Sequence, residues 1–315
     1  MRLFSGSSHP VLAQEIADHL GIKLASLELS RFPDGEISLR ITESVRGQDI
    51  FVIQSIVLDP NNYLMELLVI IDALKRASAK SITAVIPYFG YGRQDRKDKP
   101  REPVTAKLVA DMLTKAGATH ILAVDMHAGQ LEGFFDIPVD HVHAMPILAR
   151  VLKEQTTSSP LVVVAPDIGS VKLAHKYASF LDAGLAIVDK ERLTATEVES
   201  AGIIGNVKGK DVLLADDMCS TGGTLVSAAK ACHGKGANRV FAVVSHGVFV
   251  GDSVAKIEAS PIEALLISNT VPYTERLAKS TKIKTISIAS LLGEAIRCIA
   301  TQEPLAESIY QLDKD

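Results

Sequence analysis

Cysteine is scarce in this sequence: Cys219, Cys232 and Cys298 are the three copies among 315 residues. Their number is odd and their spacing matches no metal-ligand pattern, which excludes a disulfide framework and a zinc module and fits a reducing cytoplasm. An excess of positive charge is lacking as well. Lys and Arg number 33 against 37 Asp and Glu, a formal net charge of -4, whereas a protein that binds nucleic-acid backbone generally presents a basic surface. No apolar run approaches the ~18 residues of a membrane span. The opening MRLFSGSSHP turns polar too early for a secretory signal. Also missing are a G-x-G-x-x-G strand-to-helix element, a G-x-x-x-x-G-K-[ST] loop and any Ser-His-Asp signature. These absences predict a cytoplasmic protein with no nucleic-acid and no membrane partner. Its composition is that of a globular chain, long enough for about two domains of ~150 residues each.

What the chain does contain is a series of short, continuous apolar runs: DIFVIQS, SITAVIPYF, HILAVDM, LVVVAPD, AGLAIVD, DVLLADDM and RVFAVVSH. Strands this apolar, separated by helix-like segments, predict an α/β fold with mainly parallel sheets covered on both faces. The segment LMELLVIIDALKRAS at 64–78 is apolar nearly all round and ends with Lys75 and Arg76, as a buried helix with cations near its C-terminal dipole would. An internal repeat sets the domain count. TAKLVADMLTKAGATHILAVDMHAG from Thr105 matches TLVSAAKACHGKGANRVFAVVSHGV from Thr224 without a gap, each reading as helix, glycine turn, strand and histidine. The prediction is two similar domains, 1–147 and 148–289, with TTSSP at 156–160 as a polar connection and a closing helix within 290–302 packing back on the first.

The two halves differ ahead of the repeated helix. In the second, LADDMCSTGGT at 214–224 runs from a strand into a turn and a helix. Ser220, Thr221, Gly222, Gly223 and Thr224 fall at a helix N-terminus, where free N–H groups and the dipole favour a phosphate. Asp216 and Asp217 lie at the strand's carboxyl end, where open α/β sheets bind ligands, and carboxylates accept hydrogen bonds from sugar hydroxyls. Phosphate plus diol reads as ribose phosphate. In the first half the corresponding loop is the longer PYFGYGRQDRKDKPREPVT. Arg93 and Gln94 offer planar donors there, and Arg93 and Arg96 offer charge for a polyphosphate.

DDMCSTGGT resembles the ribose-phosphate loop of the type I phosphoribosyltransferase fold, which leaves open enzymes that consume phosphoribosyl pyrophosphate and enzymes that make it. Further stretches decide between them: FSGSSH (4–9), RFPDGEISLRI (31–41), ESVRGQDIFVIQS (43–55), AVIPYFGYGRQDRKDKPREPVTAKLVA (84–110), VDMHAGQLEGFFDIPVDH (124–141), APDIG (165–169) and DKER (189–192). Together, in order and over nearly the whole chain, they are similar to the ribose-phosphate pyrophosphokinase family.

The resemblance implies two tandem type I phosphoribosyltransferase-like domains. Its reaction moves the diphosphoryl group of ATP to the 1-hydroxyl of ribose 5-phosphate, supplying nucleotide, histidine and tryptophan biosynthesis. By the same resemblance, Arg93, Gln94 and Asp95 bind ATP, with Phe32, Asp34, Gly35 and Glu36 reaching the adenine and ribose from a neighbouring subunit of a homo-oligomer, a hexamer in the family. His127 contacts the ATP phosphates and their Mg2+. Asp167 serves Mg2+ and ribose 5-phosphate, which Arg192, Asp216, Asp217, Ser220, Thr221, Gly222, Gly223 and Thr224 also hold. Lys190 and Arg192 take the place of the family's catalytic-loop cations, in a polar segment, 189–202, long enough to close over the site. The alternatives are a phosphoribosyltransferase and a catalytically silent regulatory homologue.

Several positions depart from the family pattern. Ser220 stands where an Asp is usual, Ser170 replaces a glycine, and Leu173 takes the place of a common basic residue. Near the C-terminus EPLAESI at 303–309 lacks the serines of phosphate-activated members, although Ser44 and Arg46 match the family's regulatory region. Control by phosphate and ADP is therefore not part of what the resemblance implies.

Overall fold

The structure is a computed structural model that describes residues 1–155, 160–191 and 200–305. The chain divides into two compact units: Met1–His143 with Thr270–Pro272 and Ser287–Asp315, and Ala144–Asn269 with Tyr273–Ile286. The 156–159 part of the expected polar connection lies outside the described residues.

In the first unit, β1 (Arg2–Ser5) leads through α1 (Pro10–His19) to a hairpin of β2 (Leu27–Arg31) and β3 (Ile37–Ile41). Then follow β4 (Asp49–Ile53), α2 (Pro60–Arg76), β5 (Ser81–Ile86), α3 (Thr105–Ala116), β6 (His120–Val124) and β7 (Val139–Val142). The main sheet has the order β1-β4-β5-β6-β7 and is parallel throughout. Continuous apolar strands are what a parallel sheet buried on both faces requires. On one face Leu67, Ile70 and Leu74 of α2 and Val109 and Leu113 of α3 pack against Val52, Ala84 and Ala123.

At the carboxyl end of β1, the buried carboxylate of Glu66 accepts from the Ser7 amide at 2.6 Å, the Ser7 hydroxyl at 2.7 Å and Gln54 Nε2 at 2.8 Å. Three donors on one carboxylate satisfy a charge placed away from water.

The second unit contains α4 (Met145–Gln155), β8 (Leu161–Ala165), α5 (Val171–Phe180), β9 (Gly184–Glu191) and β10 (Ser200–Ile204). It continues with β11 (Asp211–Cys219), α6 (Gly223–Gly234), β12 (Val240–Gly247), α7 (Ser253–Glu258), β13 (Ile262–Ser268) and β14 (Ile283–Ile286). Its seven-stranded sheet has the order β10-β9-β8-β11-β12-β13-β14, with only β9 and β10 antiparallel. The last helix, α8 (Ala289–Thr301), belongs to the first unit. There Ser287 donates to Glu15 of α1 at 2.6 Å. A Cβ at Gly293 would meet the His19 ring at 2.4 Å, so glycine allows α8 to lie against α1.

The sequence repeat corresponds to α3–β6 in one unit and α6–β12 in the other. Its shared glycines have a backbone reason: Gly117 has φ +130° and Gly236 φ +84°, the region beyond a helix end that side chains disfavour. Its shared histidines part ways. His127 is exposed beyond the end of β6, whereas His246 is buried within β12. The sheets also differ in connection. Strands β4-β5-β6-β7 match β8-β11-β12-β13 in order, but the next neighbour, β1, precedes its partner in the chain while β9 follows it. Only the second unit's sheet therefore reverses direction, between β8 and β11.

The polar segment 189–202 differs from its sequence reading. Its ends are paired strands, with Asp189 opposite Gly202 and Lys190 opposite Ala201, because β9 runs on through the charged residues Asp189–Glu191 as one arm of a hairpin with β10. Residues 192–199, Arg192 among them, lie outside the described residues.

Candidate active site

Ligands of open α/β sheets sit where strand order reverses, outside the carboxyl ends of the strands. In the second unit that place lies between β8 and β11. Pairing of β11 with β8 runs from Asp211–Leu161 to Leu214–Val164, whereas its pairing with β12 continues to Cys219–Gly247. Asp216 and Asp217 are thus strand residues, with Met218 and Cys219 extending the strand beyond them, and β11 borders an opening on its β8 side. Asp167 enters from the loop after β8. Burial first, then the negative charges of Asp217 and Asp167, push the Asp216 carboxyl well above the usual carboxylate range. Three acids therefore converge on one crevice.

The loop that follows is held by its carbonyls. Val248 and Phe249 amides donate to the Cys219 carbonyl at 3.0 and 3.1 Å, and the Val250 amide donates to that of Ser220 at 3.0 Å. Gly222 precedes the first residue of α6 at φ +76°, and the Val226 amide makes the first helical bond to its carbonyl at 3.0 Å. Amides ahead of Val226 precede the regular helical ladder, as an anion cradle requires. A Cβ at Gly222 would also lie 3.4 Å from the Ser253 carbonyl. Gly222→Ala is accordingly expected to cost about 1–2 kcal/mol for the left-handed backbone alone, seen as a lower Tm; an unchanged Tm would refute the strain. Cys219 is buried in the core beneath this loop, and that burial pushes its thiol up to about 12.

Ser170 has found a use. Its amide and hydroxyl donate to Asp167 Oδ1 at 3.2 and 3.1 Å, orienting that carboxylate where a glycine would supply only the amide. Lys190 belongs to β9, the strand on the other side of β8.

In the first unit, the loop after β5 and the residues after β6 are neighbours at adjacent strand ends. Arg93 and Gln94 are exposed. The Thr105 hydroxyl donates to Gln94 Oε1 at 2.5 Å, and Gln130 Nε2 donates to Asp95 Oδ2 at 2.7 Å. Gln130 lies on a short 3-10 helix, Gly129–Phe134, which begins two residues after His127 and so ties the two segments together.

Phe32, Asp34, Gly35 and Glu36 form the tip of the β2–β3 hairpin. Gly35 has φ +93°, the Glu36 amide donates to Asp34 Oδ1 at 3.2 Å, and the Phe32 amide to the Glu36 carbonyl at 2.9 Å. Its short-range bonds leave the aromatic ring out: Phe32 is 53% exposed, although a Phe among turn residues is usually core. These bonds stay within the hairpin, so they do not bring the tip to residues 93–95.

Residues to which the sequence reading gave no role surround Asp125. Asp125, His141 and His143 offer ligand-type atoms within 4.8 Å of one another. His143 Nδ1 lies 2.8 Å from Asp125 Oδ1, His141 Nδ1 2.8 Å from Glu132 Oε1, and the Met126 amide donates to His141 Nε2 at 2.8 Å. The stretch VDMHAGQLEGFFDIPVDH contains most of these residues, but only the pairing of β6 with β7, Ala123 opposite His141 and Val124 opposite Val142, brings its two ends together. Among the described residues no helix is long and apolar enough to cross a membrane.

Comparison with known proteins agrees with this architecture. Residues 1–117 match the N-terminal domain of ribose phosphate pyrophosphokinase, and residues 192–310 match the phosphoribosyl synthetase-associated domain. A ribose-phosphate pyrophosphokinase of Caldanaerobacter subterraneus subsp. tengcongensis is 52% identical over 94% of this chain and 93% of its own length. One from Brucella melitensis is 48% identical over 97% and 99%. The crystal structure of phosphoribosylpyrophosphate synthetase from Mycobacterium smegmatis superposes with a TM-score of 0.91 at 41% identity, covering 96% of this chain and 99% of that one. With most of its length matched at this level of identity, the chain belongs to the ribose-phosphate pyrophosphokinase family.

Proposed function

We propose that this protein transfers the β,γ-diphosphoryl group of ATP to the 1-hydroxyl of ribose 5-phosphate, releasing AMP and 5-phosphoribosyl 1-pyrophosphate, the activated sugar for nucleotide, histidine and tryptophan biosynthesis. The observation that carries the reading is the crevice between β8 and β11, where two strand carboxylates stand beside a left-handed glycine loop that opens a helix. Ser220, Thr221, Gly222, Gly223 and Thr224 hold the 5-phosphate through backbone N–H groups and hydroxyls. Asp216 and Asp217 accept from the sugar hydroxyls, with Asp167 beside them, and by the family resemblance Arg192 also binds ribose 5-phosphate.

The 1-hydroxyl oxygen attacks the β-phosphorus in line, the bond from that phosphorus to the oxygen shared with the α-phosphate breaks, and AMP departs with the electron pair. The hydroxyl proton passes to solvent; positioning and charge stabilisation supply the rate. Lys190 and Arg192 stabilise charge that develops on the transferred group. Arg93, Gln94 and Asp95 hold ATP. The exposed ring of Phe32, with Asp34, Gly35 and Glu36, suits contact with the adenosine of ATP bound by a second copy in a homo-oligomer, for which the family implies a hexamer.

The acids fit Mg2+, a hard cation that takes oxygen ligands and keeps substrate phosphates in its shell. Asp167 would hold it on the ribose side and His127 on the ATP side, and the bound ion supplies neutralisation of phosphate charge. Burial raises Asp216 most, and the repulsion from Asp217 and Asp167 that adds to it is what a cation relieves. Three buried, free cysteines suit a cytoplasmic setting.

Incubation with ATP, ribose 5-phosphate and Mg2+ is expected to yield AMP. A phosphoribosyltransferase would instead release pyrophosphate from the activated sugar and a base without ATP, and a silent homologue would do neither; either result overturns the reading.

A further inference from the structure

We infer that His141 is a positioning residue, a neutral imidazole that accepts the Met126 amide N–H and so fixes the turn carrying His127. Asp125 has φ +37°, a left-handed backbone for a residue that is not glycine, and such strain persists only where the surroundings over-determine it. Three bonds do so here: the Asp125 amide to the Val142 carbonyl at 3.0 Å, the Met126 amide to His141 Nε2 at 2.8 Å, and His143 Nδ1 with Asp125 Oδ1 at 2.8 Å.

An amide N–H can only donate, so His141 Nε2 carries a lone pair. The ring proton of the neutral imidazole is then on Nδ1, which donates to Glu132 Oε1 at 2.8 Å. The side chain is only 8% exposed, and burial, the largest influence on it, lowers its pKa below the ordinary value. With both ring nitrogens engaged, His141 is not a metal donor in the group it forms with Asp125 and His143. Its second bond has a reach of its own. Glu132 shares its short helix with Gln130, which holds Asp95, so one rigid piece sets both the histidine turn and the 93–95 loop.

The inference rests on the role proposed above for His127, and its test has a readout independent of turnover. In 15N-edited NMR of the full-length protein, His141 is expected as the Nδ1–H tautomer at neutral pH, unmoved by added Zn2+. His141→Leu, which leaves the Met126 amide unpaired, should lower kcat for AMP formation by about 10- to 100-fold, the scale of displacing a catalytic group by up to an ångström. The KM for ribose 5-phosphate should stay near its original value. His141→Gln keeps an acceptor for Met126 and a donor for Glu132, and should restore most of the rate.

An Nε2–H ring, an imidazolium at neutral pH or a Zn2+-dependent shift of the ring nitrogens would overturn the assignment. So would a folded His141→Leu enzyme with undiminished kcat. If His141→Leu fails to fold, the tautomer and the His141→Gln rate still decide. Absence of AMP formation in the unsubstituted protein would instead refute the proposed reaction and leave the tautomer result standing.

Discussion

Lys190→Ala is expected to lower turnover at least ~100-fold, the scale on which enzymes lose rate when a dedicated transition-state donor is removed. The reasoning turns on when charge appears. As the bond between the diphosphoryl group and AMP breaks, negative charge redistributes over the transferred and leaving oxygens, and a cation held there interacts more strongly with the transition state than with bound ATP. The loss therefore falls on kcat, with smaller changes in the affinities for ATP and ribose 5-phosphate. Lys190 lies on β9, opposite Ala201 in the hairpin of β9 and β10. Steady-state AMP formation alongside calorimetric binding of each substrate separates the terms. Near-normal turnover would remove Lys190 from the chemistry, and an equal rise in KM would make it a binding residue only.

Asp216→Asn is expected to move stability and binding in opposite directions. The carboxyl is buried beside Asp217 and Asp167, and its pKa is raised. Below the ordinary carboxylate pKa of ~3.9 both folded and unfolded chains keep the proton, and the group has no effect on stability. As pH rises from there towards the raised folded value, the unfolded chain releases its proton while the folded chain retains it, and stability falls. Above the folded value the penalty is constant. A neutral amide escapes this cost, so in ligand-free protein the Tm of Asp216→Asn should match the original near pH 4 and exceed it increasingly towards neutral pH.

With Mg2+ present, which would favour the ionised carboxylate, the same substitution removes a charged acceptor for sugar hydroxyls, a hydrogen bond of about 1.5–3 kcal/mol, which corresponds to about a 10- to 100-fold weaker Kd for ribose 5-phosphate. Thermal unfolding across pH and calorimetric titration measure the two effects. A lower Tm at neutral pH would mean that the raised pKa is not an electrostatic cost, and unchanged affinity would mean that Asp216 does not touch the sugar.

Much of this architecture was legible along the chain. Continuous apolar runs predict buried parallel strands because that burial is recorded residue by residue, and β4, β5, β6, β8, β11 and β12 all form where such runs lie. The repeat from Thr105 and Thr224 named the duplicated helix and strand, and its glycines proved necessary for their backbone angles. Resemblance supplied the family through motifs that are local in sequence. The details that failed were those set by a partner strand: the strand does not end at Asp216 and Asp217 but runs on to Cys219, because β12 continues beside it, which nothing local says. Likewise 189–202 read as a polar loop because the antiparallel partner of its start, β10, begins only at its far end.

By itself, then, the sequence determined the α/β class, the repeat and the family, and it singled out 220–224 as the candidate phosphate loop. Tertiary structure alone decided that β8 and β11 flank a reversal of strand order, that burial raises Asp216, with Asp217 and, from across it, Asp167 adding to the rise, and that His141 accepts from Met126. The physical reason is common to all three. Each depends on parallel pairing between segments separated by a helix or more, such as Leu161 opposite Asp211 and Ile121 opposite Val139, and the geometry that such pairing creates has no trace in the spacing of either segment alone.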